Sequence, residues 1–204
     1  MYKIATLAGA ALIAASASQA AIVVDVFDSG PNLVVSYEGT FDTSSGTFET
    51  TQPTSPQNFL LDAGSFGVRT GNQTGAPMND YNLFFTSRPS TDIFKNIFGF
   101  TGALFGGTGS GTPLLFENTI FDQIWVPTGY QSGDLISGSN TFAGASLASI
   151  GAVAGSYTWT WSNGTASDSL TMNVATAPIP LPATGALLLA GLAAFGAARR
   201  LRGA

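Results

Sequence analysis

Carboxylates are the only plausible acid–base groups in this sequence. The chain has 204 residues and contains no histidine and no cysteine, so it has neither an imidazole base nor a thiol nucleophile. A facing pair of carboxyl groups is what cleavage of a glycosidic bond requires. Most of the acidic residues lie beside turns, where solvated loops and local caps are the usual outcome, and we therefore expect no enzyme activity. The twelve are Asp25, Asp28, Glu38, Asp42, Glu49, Asp62, Asp80, Asp92, Glu117, Asp122, Asp134 and Asp168.

The residue types also restrict the metals that the chain could bind. Zinc, copper and most iron sites need histidine or cysteine ligands, so only hard cations such as calcium remain. Asp42 with Ser44 and Ser45 is one short cluster that could offer oxygen ligands to calcium, and Asp168 with Ser169 is another. Neither has the spacing of a recognised calcium loop. We predict no cofactor, with calcium as the one ion that these residues permit.

Two tryptophans at alternate positions are candidates for ligand contact. Trp159 and Trp161 lie in a run from Tyr157 to Ser162 that alternates aromatic with hydroxyl side chains. Indoles at this spacing occur on sugar-binding platforms, which makes a carbohydrate-binding module an alternative function. A half-buried strand presents the same alternation to its core, and we favour this interpretation. Exposure of the two indoles would indicate binding, and their burial would indicate packing.

Charge is unevenly distributed along the chain. All twelve acidic residues lie within residues 21–177, together with only three basic residues, Arg69, Arg88 and Lys95. This segment therefore carries a net charge of −9, which repels the phosphates of nucleic acids. We expect no nucleic-acid partner.

Residues 1–20 have the three parts of a secretory signal peptide. Lys3 supplies a basic start, Ile4 to Ala15 is an apolar run, and Ser18-Gln19-Ala20 offers small residues to a signal peptidase. The run is shorter than the roughly 20 residues of a membrane span. We predict export and cleavage between Ala20 and Ala21.

Residues 178–204 combine a proline-rich motif, an apolar run and a basic cluster. The prolines of Ile179-Pro180-Leu181-Pro182-Ala183 hold the backbone extended. As a helix, Ala183 to Ala198 would rise about 24 Å, which is close to the hydrocarbon thickness of a bilayer. The positive-inside rule then places the basic end in the cytoplasm and residues 21–177 outside. That basic cluster consists of Arg199, Arg200 and Arg202.

The order of these three parts resembles the PEP-CTERM sorting signal of Gram-negative bacteria, in its Val-Pro-Leu-Pro-Ala variant. Leu181 occupies the position where the commoner form of the motif has glutamate. The resemblance implies removal of the tail by an exosortase-type membrane protease, often in species that make exopolysaccharide or biofilm. It also implies a precursor anchored in the inner membrane and a product at the cell surface or outside the cell. Residues 125–174 are similar to ectodomains that carry this tail.

A second sorting motif overlaps the first. Leu181-Pro182-Ala183-Thr184-Gly185 matches the Leu-Pro-any-Thr-Gly signal of sortase substrates in Gram-positive bacteria. Against this interpretation, the rest of the chain has almost no lysine, and Thr184 and Gly185 lie directly against the apolar run. We favour the exosortase and keep a sortase-anchored wall protein as an alternative.

Strand signals dominate residues 21–177, and helix signals are scarce. Short runs of β-branched, aromatic and leucine residues alternate with turn residues. Ser29-Gly30-Pro31-Asn32 predicts a hairpin between the first two runs, Ser162-Asn163-Gly164 predicts a second reversal, and the glycine-rich residues 99–113 predict an irregular loop. The runs are Ile22–Val26, Leu33–Tyr37, Asn58–Leu61, Asn82–Thr86, Ile120–Val126, Tyr157–Trp161 and Leu170–Val174.

These patterns predict an all-β protein with one domain between two targeting segments. We expect an antiparallel, jelly-roll-like β-sandwich ectodomain over residues 21–177, flanked by the signal helix of residues 1–20 and the transmembrane helix within residues 178–204. The leading functional hypothesis is an exported structural protein of the cell surface or extracellular matrix. Its expected partners are the membrane, the processing protease and exopolysaccharide.

Overall fold

A computed structural model describes residues 21–54, 59–60, 67–89, 104–118, 122–150 and 152–175. The predicted signal peptide and the predicted sorting signal lie outside these residues, and so do Ala20, the proline-rich motif and the arginine cluster. Within the described residues, no helix has the length and apolar character that crossing a membrane requires.

The described part of the chain is all-β, apart from a single turn of 3-10 helix at Thr43–Ser45. Its strands are β1 (Ala21–Ser29), β2 (Asn32–Thr40), β3 (Thr47–Pro53), β4 (Phe59–Leu60), β5 (Gly67–Thr70), β6 (Pro77–Asn82), β7 (Phe85–Ser87), β8 (Leu104–Phe105), β9 (Thr108–Gly111), β10 (Leu114–Asn118), β11 (Asp122–Pro127), β12 (Leu135–Ala143), β13 (Gly155–Ser162) and β14 (Ser167–Ala175).

The strands form two sheets of seven strands each. Sheet 1 has the order β7-β13-β14-β1-β2-β12-β9, and sheet 2 has the order β3-β6-β11-β10-β5-β4-β8. The β1–β14 pair is parallel, whereas the other pairings between described strands are antiparallel. The protein is therefore all-β with two predominantly antiparallel sheets, which is consistent with a β-sandwich.

Both predicted reversals are confirmed. In the first, Ser29 pairs with Asn32 across Gly30-Pro31, and Gly30 has a φ of +59°, a left-handed conformation that glycine adopts without a steric penalty. In the second, the Asn163 side-chain oxygen accepts hydrogen bonds from the backbone N–H groups of Thr165 and Ala166 at 3.0 Å each. This Asx turn joins β13 to β14.

Alternate residues of the central strands of sheet 1 form one side of the core. Every second side chain is buried over residues 22–26 of β1, 33–37 of β2 and 168–174 of β14, as the period of a half-buried strand requires. The predicted inward set of Leu170, Met172 and Val174 is confirmed. The other buried apolar residues of these strands are Ile22, Val24, Val26, Leu33, Val35 and Tyr37.

Aromatic side chains join the two sheets across the core. Phe116 of sheet 2 contacts Trp159 of sheet 1 with ring centroids 5.5 Å apart at an interplanar angle of 67°. Phe41, in the loop after β2, contacts Trp161 of sheet 1 at 6.4 Å and Tyr81 of sheet 2 at 5.3 Å. The contacts of Phe116 with Trp159 and of Phe41 with Tyr81 are edge-on, a geometry that stabilises aromatic pairs beyond the burial of their area.

Two sequence-based expectations about the strands are wrong. The run Asn82–Thr86 is not one strand, because β6 ends at Asn82 in sheet 2 and β7 begins at Phe85 in sheet 1. Residues 99–113 are not wholly irregular, because β8 and β9 lie within them. The ladder of β9 with β12 is made by backbone groups, which a glycine-rich sequence supplies as well as any other.

Candidate functional site

The two tryptophans that the sequence offered as ligand contacts lie in the core. Trp159 and Trp161 are both 0 % exposed. They point inward from β13, where Trp159 packs on Phe116 and the Trp161 indole N–H donates a hydrogen bond of 2.9 Å to Ser45 Oγ. Their interpretation as a sugar platform is therefore corrected, because no surface ligand reaches either ring. They are packing residues, as the competing interpretation of the alternation stated.

The structure brings together the two acidic clusters that the sequence treated as separate calcium candidates. Asp42 Oδ1 caps the 3-10 turn and accepts hydrogen bonds from Ser44 N–H at 2.9 Å and Ser44 Oγ at 2.7 Å. It also accepts a bond of 2.8 Å from Ser132 Oγ, in the connection between β11 and β12. These bonds, that of the Ser44 hydroxyl foremost, hold the pKa of Asp42 below its usual value.

Asp168 lies at the second position of β14 and is only 3 % exposed. Its Oδ2 accepts a hydrogen bond of 2.8 Å from Asp42 N–H, and its Oδ1 accepts one of 2.6 Å from Ser169 N–H. Burial nevertheless raises the pKa of Asp168 to about 6. Each oxygen of this carboxyl therefore accepts a hydrogen bond from the backbone, and the group serves as a structural anchor.

Further bonds tie the same region together. Tyr130 Oη accepts a hydrogen bond of 2.8 Å from Phe41 N–H and donates to the carbonyl oxygen of Asp134 at 2.8 Å. Ser45 Oγ donates to the carbonyl oxygen of Asp42 at 2.6 Å. We call this network the loop junction, and it comprises Asp42, Ser44, Ser45, Tyr130, Ser132, Trp161, Asp168 and Ser169. Within the described ranges, no three acidic side chains group in a way that could hold a metal ion.

A second polar group lies on the face of sheet 2 that points away from the core. Ile124 and Val126 of β11 belong to the core, so Trp125, between them, points to the opposite face. Trp125 pairs with Asp80 of β6 on one side and with Leu115 of β10 on the other. Directly paired residues share a face. Asp80, Trp125 and Leu115 therefore form one row across three strands.

Hydrogen bonds connect this row to the next one. The Trp125 indole N–H donates to Gln123 Oε1 at 3.4 Å. Gln123 Nε2 donates to Glu49 Oε2 at 3.0 Å and to Asn82 Oδ1 at 3.1 Å. Trp125 is partly exposed and Glu49 is exposed, so the network reaches the surface. We call Glu49, Asp80, Gln123 and Trp125 the outer-face cluster.

Asp80 is the unusual member of the outer-face cluster. It is only 2 % exposed, and its buried Oδ1 has no hydrogen-bond partner. Burial raises its pKa to about 7, and the negative charges of Glu49 and Glu117 act in the same direction. Strongly perturbed carboxyl groups are concentrated at functional sites, although structural networks also produce them.

Sequence reasoning counted Asp80 and Glu49 among twelve carboxylates and gave Trp125 no role. The run Ile124-Trp125-Val126 is continuously apolar, so it lacks the alternation that would mark Trp125 as pointing away from the core. No strand was predicted over residues 78–81, so no alternation was available to place Asp80 on a face of a sheet.

Comparison of the chain with protein-family models, curated proteins and solved structures found no match.

Proposed function

We propose that this chain is an exported structural protein of the cell surface or extracellular matrix, and that an exosortase-type protease removes its C-terminal tail. The observation that carries the proposal is the order of the proline-rich motif, the apolar run and the arginine cluster in residues 178–204. No enzyme activity is part of the proposal. Its partners are the membrane, through the C-terminal helix, and exopolysaccharide in the matrix.

The described strands are compatible with this proposal. The described part of β1 lies after the predicted signal cleavage, and the described part of β14 lies before the proline-rich motif. β1 and β14 pair with each other in the middle of sheet 1. Cleavage at both predicted sites would therefore leave every described strand intact.

We propose further that the two sheets form a jelly-roll-like β-sandwich. The contact between Phe116 and Trp159 supports face-to-face packing of the sheets. The chain also passes repeatedly from one sheet to the other, for example between β2 and β3 and between β6 and β7, as it does in double-sheet jelly rolls. Such a fold, with a large apolar core, suits a protein that has no cysteine for disulfides.

The intact mass of the protein recovered from the surface and the medium of its native host tests the sorting proposal. We expect a product that begins at Ala21 and ends near Pro182. A product that ends at Thr184 would indicate processing by a sortase and not by an exosortase. A product that extends to Ala204 would indicate that the tail is not cleaved and acts only as a membrane anchor. Pro182→Ala should block processing, whereas Pro178→Ala, just outside the motif, is the matched control and should be processed normally.

A further inference from the structure

We propose that the outer-face cluster binds a neutral saccharide, with Trp125 as the stacking surface and Asp80, Gln123 and Glu49 as the hydrogen-bonding groups. This proposal goes beyond export and sorting and does not depend on them. It does not involve Trp159 and Trp161, whose rings are buried in the core. Three properties of the cluster support it, namely the register of sheet 2, the burial of Asp80 and the charge around that residue.

The register places an aromatic surface beside a carboxyl group. Trp125 and Asp80 are direct cross-strand partners, so their Cβ atoms lie about 5 Å apart on one face. Leu115, on the other side of Trp125, is 1 % exposed, so the apolar surface that a ligand could contact is that of Trp125. A sugar ring has one apolar C–H face and a rim of hydroxyl groups, and it therefore needs an aromatic surface with polar groups at its edge.

Asp80 supplies the observation that points to a ligand. The residue is almost fully buried, and no donor reaches its Oδ1. A buried polar atom without a partner is unfavourable, and such atoms are rare in folded proteins. A sugar hydroxyl that donates to Oδ1 would supply the missing hydrogen bond. Asp80 would form the floor of the site beside the partly exposed indole, and because its Oδ1 is buried, a neighbouring side chain would have to move aside for a ligand to reach it.

Gln123 orients the site from the neighbouring row. It accepts the Trp125 indole N–H at 3.4 Å and donates to Glu49 at 3.0 Å, so it couples the ring to the exposed carboxylate at the rim. Planar amides and carboxylates are the usual hydrogen-bonding partners for ligand hydroxyls in such sites. The cluster therefore offers acceptors at two depths, Asp80 at the floor and Glu49 at the edge.

The charge of the face selects a neutral ligand. The carboxylates of Glu49 and Glu117 both act on Asp80, and the positive charge of Arg69, further along the row, interacts with Glu117. The face is therefore acidic next to the indole. Uronic acids, sulfated sugars and phosphates would be repelled.

Titration of the full-length protein in detergent micelles with oligosaccharides tests the proposal. The probes are six neutral hexasaccharides, namely β-1,4-glucan, β-1,3-glucan, α-1,4-glucan, mannan, xylan and galactan, and one acidic probe, hexagalacturonate. We expect at least one neutral probe to bind in calorimetry and to shift tryptophan emission, and the acidic probe not to bind. Absence of binding to all six at millimolar concentration would overturn the proposal, as would preference for hexagalacturonate.

Variants assign the binding to the cluster. Trp125→Ala should weaken binding at least tenfold, and Asp80→Asn, which keeps the side-chain shape, should weaken it several-fold. Phe84→Ala removes another exposed aromatic side chain, 56 % exposed, and should leave affinity unchanged. Should Trp125→Ala not fold, Trp125→Phe serves in its place and should abolish the ligand-induced emission shift. Equal affinity in all folded variants would overturn the proposal, and so would release of new reducing ends, which would indicate hydrolysis.

Discussion

Two buried aspartates in this protein differ in the hydrogen bonding of their carboxyl oxygens. Asp168 accepts backbone hydrogen bonds at both oxygens, whereas Asp80 has a buried oxygen without a partner. Both have a raised pKa because burial disfavours the charged form. Asp168 therefore contributes to stability by holding Asp42 in place. The unpartnered Oδ1 of Asp80 lowers the stability of the fold, and a ligand that donates a hydrogen bond to this atom would remove that cost.

Removal of the Asp168 carboxyl should destabilise the protein. Asp168→Ala leaves the N–H groups of Asp42 and Ser169 without their acceptors, and hydrogen bonds to charged groups contribute about 1.5–3 kcal/mol each. We expect a loss of about 2–4 kcal/mol in the free energy of unfolding, measured by urea denaturation. Glu38→Ala, at an exposed position of β2, is the control and should change stability by less than about 0.5 kcal/mol.

The two raised pKa values predict that the free energy of unfolding declines as the pH rises from acid to neutral. An aspartate that binds its proton more tightly when folded adds stability below its unfolded pKa of 3.8, and that stability is lost as pH rises through the folded value. The folded values are about 7 for Asp80 and about 6 for Asp168. The free energy of unfolding should therefore fall between about pH 4 and pH 7, from the unfolded pKa to the higher folded pKa, and level off above that range. The lowered pKa of Asp42 acts in the opposite direction, and its effect is confined to more acidic pH.

The substitution Asp80→Asn tests how much of this pH dependence of stability comes from Asp80, whose pKa is raised more than that of Asp168. Each pKa unit corresponds to about 1.4 kcal/mol, so removal of the ionisable group should raise stability at pH 8 by a few kcal/mol and change it little at pH 4. Urea denaturation at both pH values measures the difference. Equal stabilisation at the two pH values would show that ionisation of Asp80 is not the cause.

At the scale of elements, backbone contact between strands explains features that side-chain patterns do not predict. β9 has the sequence Thr-Gly-Ser-Gly and forms the edge of sheet 1 beside β12. Gly111 has a φ of +85°, and a Cβ atom there would overlap the carbonyl oxygen of Ser137. A Cβ atom at Gly138 would likewise overlap the carbonyl oxygen of Ser110 in β9, as well as the Tyr37 hydroxyl. Glycine is required at these two positions because the strands approach too closely for any side chain.

Two glycines with nearly the same φ allow the cost of a left-handed backbone conformation to be measured separately from the cost of steric overlap. Gly133 has a φ of +87° and open space where a Cβ atom would lie, whereas Gly111 faces the backbone of β12. Gly133→Ala should cost about 1–2 kcal/mol, the penalty of the left-handed conformation alone. Gly111→Ala adds the overlap and should cost at least twice as much. Thermal unfolding of the two variants gives the comparison, and equal melting temperatures would contradict it.

At the scale of the whole molecule, the loop junction holds together segments that are far apart in the sequence. Asp42 and Asp168 are joined by a direct hydrogen bond, and Trp161 is joined to Ser45. The oxygens that the sequence offered to calcium accept N–H and O–H groups of the protein. The loop junction therefore joins the segment after β2 to β14 and to the connection between β11 and β12 by hydrogen bonds within the protein.

Because N–H and O–H groups of the protein already bond to these carboxylate oxygens, we predict that calcium does not stabilise the protein. Addition of millimolar calcium chloride, or dialysis against EDTA, should change the melting temperature by less than about 1 °C, because a ligand stabilises a fold only when it binds the folded state. Magnesium chloride at the same ionic strength is the control for screening. A rise of several degrees with calcium alone would contradict the prediction and return Asp42 and Asp168 to a calcium site.

Local patterns were sufficient to predict the central strands and both confirmed turns. Ile22–Val26, Leu33–Tyr37, Tyr157–Trp161 and Leu170–Val174 alternate or are β-branched, and Gly30 and Asn163 supply the required turn chemistry. The predicted runs do not include the strongly apolar β10, and they also omit strands that have no apolar pattern. β3, for example, is exposed along its whole length, and β9 is half glycine, so neither shows the burial signal on which such predictions depend.

The sequence by itself determined the all-β class, the inward row of Trp159 and Trp161 as the favoured interpretation, and the absence of histidine and cysteine chemistry. These properties follow from composition and from the period of two that a half-buried strand imposes. Only the tertiary structure decided which polar residues meet. The contact of Asp42 with Asp168 and the pairing of Trp125 with Asp80 depend on strand order and register, which arise from contacts between residues distant in the chain.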